Sequence, residues 1–117
     1  MYYVYIIFSS KFHIFYIGYT IDLKERIKIH NSGRVQSTKP YLPWSLIWYC
    51  AFQTELEARN FERYLKTGSG RSFAYRHLIS VALAKDFQRG RQISHRTKTD
   101  TVGSANNYKI IIEDTMQ

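Results

Sequence analysis

Disulfide chemistry is ruled out at once, because the 117 residues contain a single cysteine, Cys50, and neither an intrachain bridge nor a CxxC zinc arrangement can be built from it. Cys50 lies in the apolar run Ser45 to Phe52, where a free thiol serves most often as a small core residue. Its isolation fits a reducing compartment, so the expected location is cytoplasmic. Acidic residues are also scarce. Nine Asp and Glu stand against seventeen Lys and Arg, leaving a formal net charge of +8. Phosphates reward Lys and Arg offered on one face, so nucleic acid is the leading partner class. No stretch approaches the ~20 continuous apolar residues of a membrane span, which excludes a transmembrane helix and a membrane role. The apolar start Met1 to Phe8 lacks the basic opening and small-residue cleavage site of a signal peptide and is expected to be structure. No internal repeat is evident.

Aromatic residues, by contrast, are plentiful: 16 % of the chain, ten of them tyrosines, and most fall in the first half. That half is expected to hold one core. Residues 2–8 are rich in Tyr, Val and Ile and read as a strand, turned at Ser9-Ser10-Lys11 into a second run, Ile14 to Tyr19. Gly18 inside that run marks a bend or a close backbone approach. Leu23 and Ile27 then share a helix face, with Thr20 or Asp22 as cap and Asn31-Ser32-Gly33 as stop. The basic stretch Arg34 to Pro43, broken by Pro40 and Pro43, reads as an exposed loop, and Trp44 to Gln53 as a third strand.

Thr54-Glu55-Leu56-Glu57 is a capping box ahead of Ala58, Phe61 and Leu65 at helical spacing. That helix is expected to close at Thr67 to Gly70 through a left-handed glycine. A further helix is expected over Ser72 to Lys85. Gln88 to Asn107 is basic and poor in core residues and reads as a flexible tail, after which Tyr108 to Ile112 has strand character but no named partner. The organisation is thus a domain over residues 1–85 and a basic tail over 86–117.

Arg26 and His30, four apart, share a face of the first helix, Tyr5 and Tyr16 can stand side by side in the hairpin, and Glu62 lies on the capped helix. Hydrolysis of a phosphodiester needs a cation at the phosphate, a base for water and positive charge for the transition state. A tyrosine can act as that base only if a cation such as Arg26 or a metal lowers its pKa from ~10. A lone Glu suits Mg²⁺, an ion that keeps several waters. Taken singly, each residue has a plainer role as core ring, solvated charge or dipole partner.

Together the spacing resembles the GIY-YIG nuclease superfamily. Tyr3-Val4-Tyr5 stands where that family has Gly-Ile-Tyr, Tyr16-Ile17-Gly18 matches the second signature, Arg26 and His30 fall where the family has Arg and His or Tyr, and Ala58 to Lys66 looks like its metal-binding helix. The chain looks most similar to small stand-alone bacterial members related to the nuclease module of the excision-repair incision protein, with Thr38-Lys39-Pro40, Pro43-Trp44 and Gly68 to Arg71 in similar places. The resemblance implies an α+β fold, a three-stranded antiparallel sheet flanked by helices. It also implies a metal-dependent endonuclease, with Mg²⁺ or Mn²⁺ on Glu62, Arg26 against the phosphate and a tyrosine near the attacking water. Tyr5 and Tyr16 share that last role, with Tyr16 favoured because it precedes the Arg26 helix.

Two departures stand out: Tyr3 replaces the family's Gly, and the family's late polar residue has no counterpart. They keep open an alternative, a nucleic-acid-binding module without cleavage on the same fold. DNA, branched or flapped, is the expected substrate, as in repair or recombination, with RNA as a second possibility. Arg34, Lys39, Arg71 and Arg76 are candidates for tracking its backbone, Trp44 or Tyr41 for stacking on a base, and Arg89, Arg91, Arg96 and Lys98 for added non-specific affinity. For Trp44 a core role is the stronger expectation.

Overall fold

The computed structural model describes residues 1–88 and 109–111. The tail arginines and lysine named above lie outside these residues, as does the flexibility expected of that segment. The expected hairpin is present as β1 (Tyr2–Ser9) and β2 (Ile14–Thr20), with β3 (Ser45–Phe52) antiparallel on the other side of β1. A short β4 (Lys109–Ile111) runs parallel to β2 beside Ile14 to Tyr16, so the sheet order is β3-β1-β2-β4. The apolar run near the end of the sequence therefore finds its partner on the outer edge of the hairpin.

Both faces of β1 are covered, which is why its sequence is almost continuously apolar. Val4, Ile6 and Phe8 join Phe15 and Ile17 on one face, packed on Ala58, Leu65, Ala74 and Ile79. Tyr5 and Ile7 alternate to the other face with Ile14, Tyr16 and Trp44, under Leu23 and Ile27. The functional candidates on the strands all belong to this second face.

Helix α1 (Leu23–Asn31) starts at Asp22, whose carboxylate accepts the Glu25 N–H at 3.0 Å, and stops at Gly33, which takes a φ of +81°. Helix α2 (Glu55–Leu65) has the predicted capping box, Thr54 and Glu57 each accepting the other's backbone N–H. Its end differs from expectation. Lys66 closes it in a right-handed conformation, and Thr67 is already the cap of α3 (Gly68–Phe73), its hydroxyl accepting the Gly70 N–H at 3.0 Å. Gly70 is required by packing rather than by a left-handed turn: a Cβ there would lie 1.7 Å from the Tyr64 carbonyl oxygen. The helix expected to begin at Ser72 thus begins earlier, passes through a π-helical turn at Ala74–Ile79 and continues as α4 (Ser80–Gln88). No helix among the described residues is long and apolar enough to cross a membrane.

Candidate active site

Tyr5 and Tyr16 sit on neighbouring strands but not opposite one another, because Tyr5 pairs with Gly18 and Tyr16 with Ile7. Their ring centroids are 6.3 Å apart. The Tyr5 ring leans across Gly18, where a Cβ would come within 2.5 Å of the phenol oxygen. The close approach anticipated at Gly18 is therefore made by a side chain of the site itself.

Helix α1 brings Arg26 and His30 onto these rings one turn apart. Tyr5 Oη and His30 Nε2 are 2.9 Å apart, His30 Nδ1 and Thr38 Oγ1 are 2.9 Å apart, and Arg26 Nε donates to Tyr5 Oη at 3.4 Å. Thr38 Oγ1 in turn donates to the Val35 carbonyl at 3.4 Å. One assignment of protons satisfies every link. Arg26 donates to Tyr5, Tyr5 to His30 Nε2, His30 Nδ1–H to Thr38, and Thr38 to Val35. The cation expected to favour Tyr16 is bonded to Tyr5 instead. Tyr16 meets the edge of the imidazole, with centroids 4.9 Å apart.

His30 is fully buried, and burial first, then the Arg26 charge, lowers its pKa from the ordinary 6.5 to about 4. The ring is therefore neutral at pH 7, as an acceptor at Nε2 must be. Stability follows from the same shift. Above about pH 6.5 the ring is neutral in folded and unfolded chains alike; below it the unfolded chain binds a proton that the folded chain refuses until about pH 4. Folding should accordingly lose up to ~3 kcal/mol through this group between those limits. Urea titrations of wild type and His30→Gln at several pH values check this: the wild-type advantage shrinks as pH falls through the window, and parallel curves would refute it.

Glu62 lies on α2, half-buried and paired with Lys66 one turn on. Lys66 Nζ also sits 5.9 Å from the centroid of the Tyr16 ring, so it joins Glu62 to the tyrosine cluster. Glu62 contributes too to the field at Tyr19, whose phenol is pushed up by burial first and then by its hydrogen bond and proximity to Glu55. No group of three His, Cys, Asp or Glu among the described residues is arranged to share a metal ion. A single carboxylate is still a fitting donor for a hard cation that keeps most of its water, and the ammonium against Glu62 shows that positive charge is accommodated there.

Of the residues suggested for backbone contacts, Arg34, Lys39 and Arg76 are exposed. Arg71 is half-buried and donates to the Lys66 carbonyl at 2.9 Å, closing the end of α2. Trp44 is only 4 % exposed and donates to the Thr38 carbonyl at 2.9 Å, so it is a core ring that cannot stack on a base. Three participants are named from sequence only as parts of segments, without these roles. Thr38 is hidden in an irregular loop, where no spacing singles it out, Asn31 holds the Trp44 backbone with both amide atoms at 2.7 and 2.9 Å, and Lys66 reads from spacing as an ordinary helix charge.

The GIY-YIG catalytic domain family matches residues 1–76 of the chain. The chain belongs to that family. Among its relatives, a UPF0213 protein of Streptococcus pneumoniae serotype 4 is 43 % identical over 53 residues, covering 44 % of this chain and 54 % of the relative. A UPF0213 protein of Streptococcus pyogenes serotype M1 is 40 % identical over 58 residues, covering 49 % of this chain and 63 % of the relative. The chain spans about half the length of the first of these curated relatives. No solved structure matches it. In this GIY-YIG domain the two signature tyrosines and the α1 pair are thus brought together directly, and Glu62 through Lys66.

Proposed function

We propose that the protein is a divalent-metal-dependent endonuclease that hydrolyses DNA phosphodiester bonds, with selectivity for branched or flapped structures. The observation that carries this reading is the one-way hydrogen-bond chain from Arg26 through Tyr5 to a neutral His30. A core tyrosine needs one partner for its hydroxyl. This one is held between a cation that favours its phenolate and a neutral imidazole that fixes the direction of its hydroxyl.

The link from Arg26 to Tyr5, at 3.4 Å, is long for a hydrogen bond and is the link a phosphate oxygen would readily take over. Arg26 then bears on the phosphate, where its charge stabilises the transition state. Tyr5 Oη is left facing the attacking water. Tyr5, its own proton released to solvent, takes the proton of the attacking water, while His30, kept neutral by burial and held in one tautomer by Thr38, orients the Tyr5 oxygen through Nε2. Glu62 would hold Mg²⁺ or Mn²⁺ with Lys66 displaced from it. When bound, such an ion supplies positive charge at the phosphate and activates water.

The test is incubation of the purified protein with flapped, branched and single-stranded DNA, and RNA, in Mg²⁺ or Mn²⁺. Tyr5→Phe should slow cleavage by about 10²- to 10⁴-fold, the usual range for a general base, and Tyr16→Phe by far less. The reverse order would transfer the base to Tyr16. The 1 % exposure of Tyr5 favours a second reading, a binding module whose phenol is purely structural. That reading predicts salt-sensitive binding and no product with any metal.

A further inference from the structure

Helix α1 divides the sheet face in two. At ~100° per residue, Arg26 and His30 project from one flank, Leu23 and Ile27 point inward, and Lys24 and Lys28 project from the other flank. On that other flank an open groove runs between α1 and β3, walled by Ile21, Lys24 and Lys28 on one side and by Tyr3, Leu46 and Tyr49 on the other. None of its described lining residues is acidic.

The walls of this groove carry bare apolar surface. Ile21 is 68 % exposed, Tyr49 54 % and Leu46 36 %. Tyr49 is braced edge-on by Tyr3, with ring centroids 6.1 Å apart and planes inclined at 61°. Tyr3 is the residue that stands where the family signature has glycine, so the groove owes one wall to a side chain that the signature lacks. Contiguous exposed apolar surface of this kind marks a site of interaction.

We propose that the groove holds an unpaired segment of the nucleic acid substrate, its bases laid against Tyr49 and its phosphates on Lys24 and Lys28. This rests on the nuclease reading and extends it to the form of the substrate. Charge selects the occupant: a wall with two lysines and no carboxylate suits a polyanion. The exposed ring selects its state, because an unpaired base offers a face for stacking whereas a base inside a duplex does not. Continuity selects its origin. Tyr49 is the cross-strand partner of Tyr5, so the groove and the candidate catalytic phenol lie on adjacent strands of one face. Arg26 projects from the opposite flank of α1, so a strand held here reaches the phosphate at Arg26 by crossing that helix, and a flap or single-stranded branch is what the groove would recognise.

The experiment is fluorescence anisotropy of the full chain with a labelled oligothymidine and with a blunt duplex of equal length, in EDTA, so that binding is read without cleavage. Tyr49→Ala should weaken oligothymidine binding about tenfold or more, Tyr49→Phe should preserve it, and the duplex should respond to neither. The double change Lys24→Gln with Lys28→Gln should reduce the slope of log K against log salt by about 1.4. Amide shifts in an NMR titration should cluster at Tyr3, Leu46 and Tyr49. Unchanged oligothymidine affinity in Tyr49→Ala, or equal losses for duplex and single strand, would overturn the proposal. Sedimentation showing that Tyr49→Ala converts a dimer to a monomer would instead give the groove to a second copy. Absence of cleavage by the wild type in Mg²⁺ and Mn²⁺ would count against the nuclease reading while leaving the binding result in EDTA interpretable.

Discussion

Glu62→Gln is expected to lower metal-dependent cleavage on the order of 10³-fold while leaving the protein folded. The amide keeps the shape of the carboxylate but loses the charge that would hold a hard cation. The fold should survive, because the Lys66 pair it breaks is a single, largely covered i,i+4 pair worth on the order of 1 kcal/mol. Arg26→Ala should show a comparable loss, since it removes a cation that bonds Tyr5. The check is cleavage under single-turnover conditions beside a thermal melt of each variant. Undiminished product from Glu62→Gln would leave the metal side of the site without a residue.

The largest effect on stability should come from a position far from the chemistry. Gly70→Ala would drive a Cβ into three backbone atoms, the Tyr64 carbonyl oxygen and carbon at 1.7 and 2.6 Å and Leu65 Cα at 2.9 Å. Backbone cannot rotate away as a side chain can, so α3 must lift from the end of α2. The same carbonyl accepts bonds from the Thr67 amide and hydroxyl at 3.0 and 2.7 Å, and lifting α3 strains both. A loss of roughly 2–4 kcal/mol is expected. Gly68→Ala is the matched control, because nothing lies within 4 Å of its Cβ and alanine suits a helix better. Urea midpoints should move down for the first variant and stay level or rise for the second; equal midpoints would mean the α2–α3 junction yields.

Much of this architecture is legible in the sequence. The hairpin, β3 and both capped helices follow from alternation, glycine and capping chemistry, which are local properties. Periodicity fixes which of Tyr5, Tyr16, Arg26 and His30 share a face, and the resemblance to the GIY-YIG signatures is what singles them out. What stays hidden depends on contacts between distant segments. Thr38 completes the His30 chain from an irregular loop, and β4 finds β2 across almost the whole sequence. The close of α2 departs from expectation because glycine is ambiguous in sequence: it permits a left-handed turn and it also permits two backbones to touch, and at Gly70 the second use prevails. The preference for Tyr16 over Tyr5 as the partner of Arg26 fails for a similar reason, since nearness along the chain does not decide which phenol the guanidinium reaches.

Gly18 has a further consequence for how the hairpin is aligned. Sliding β1 against β2 by two residues would keep every apolar side chain on its proper face, so hydrophobic burial alone cannot forbid that misalignment. In the slipped states Tyr5 would stand opposite Tyr16 or Thr20 rather than Gly18, and its ring would have no bare backbone to lie across. The one residue on this face of β2 without a side chain therefore acts as the key that admits a single register. In that register the two phenols stand on a diagonal under α1, their ring centroids 6.3 Å apart, so the alignment of the hairpin and the assembly of the candidate site are selected by the same missing atom.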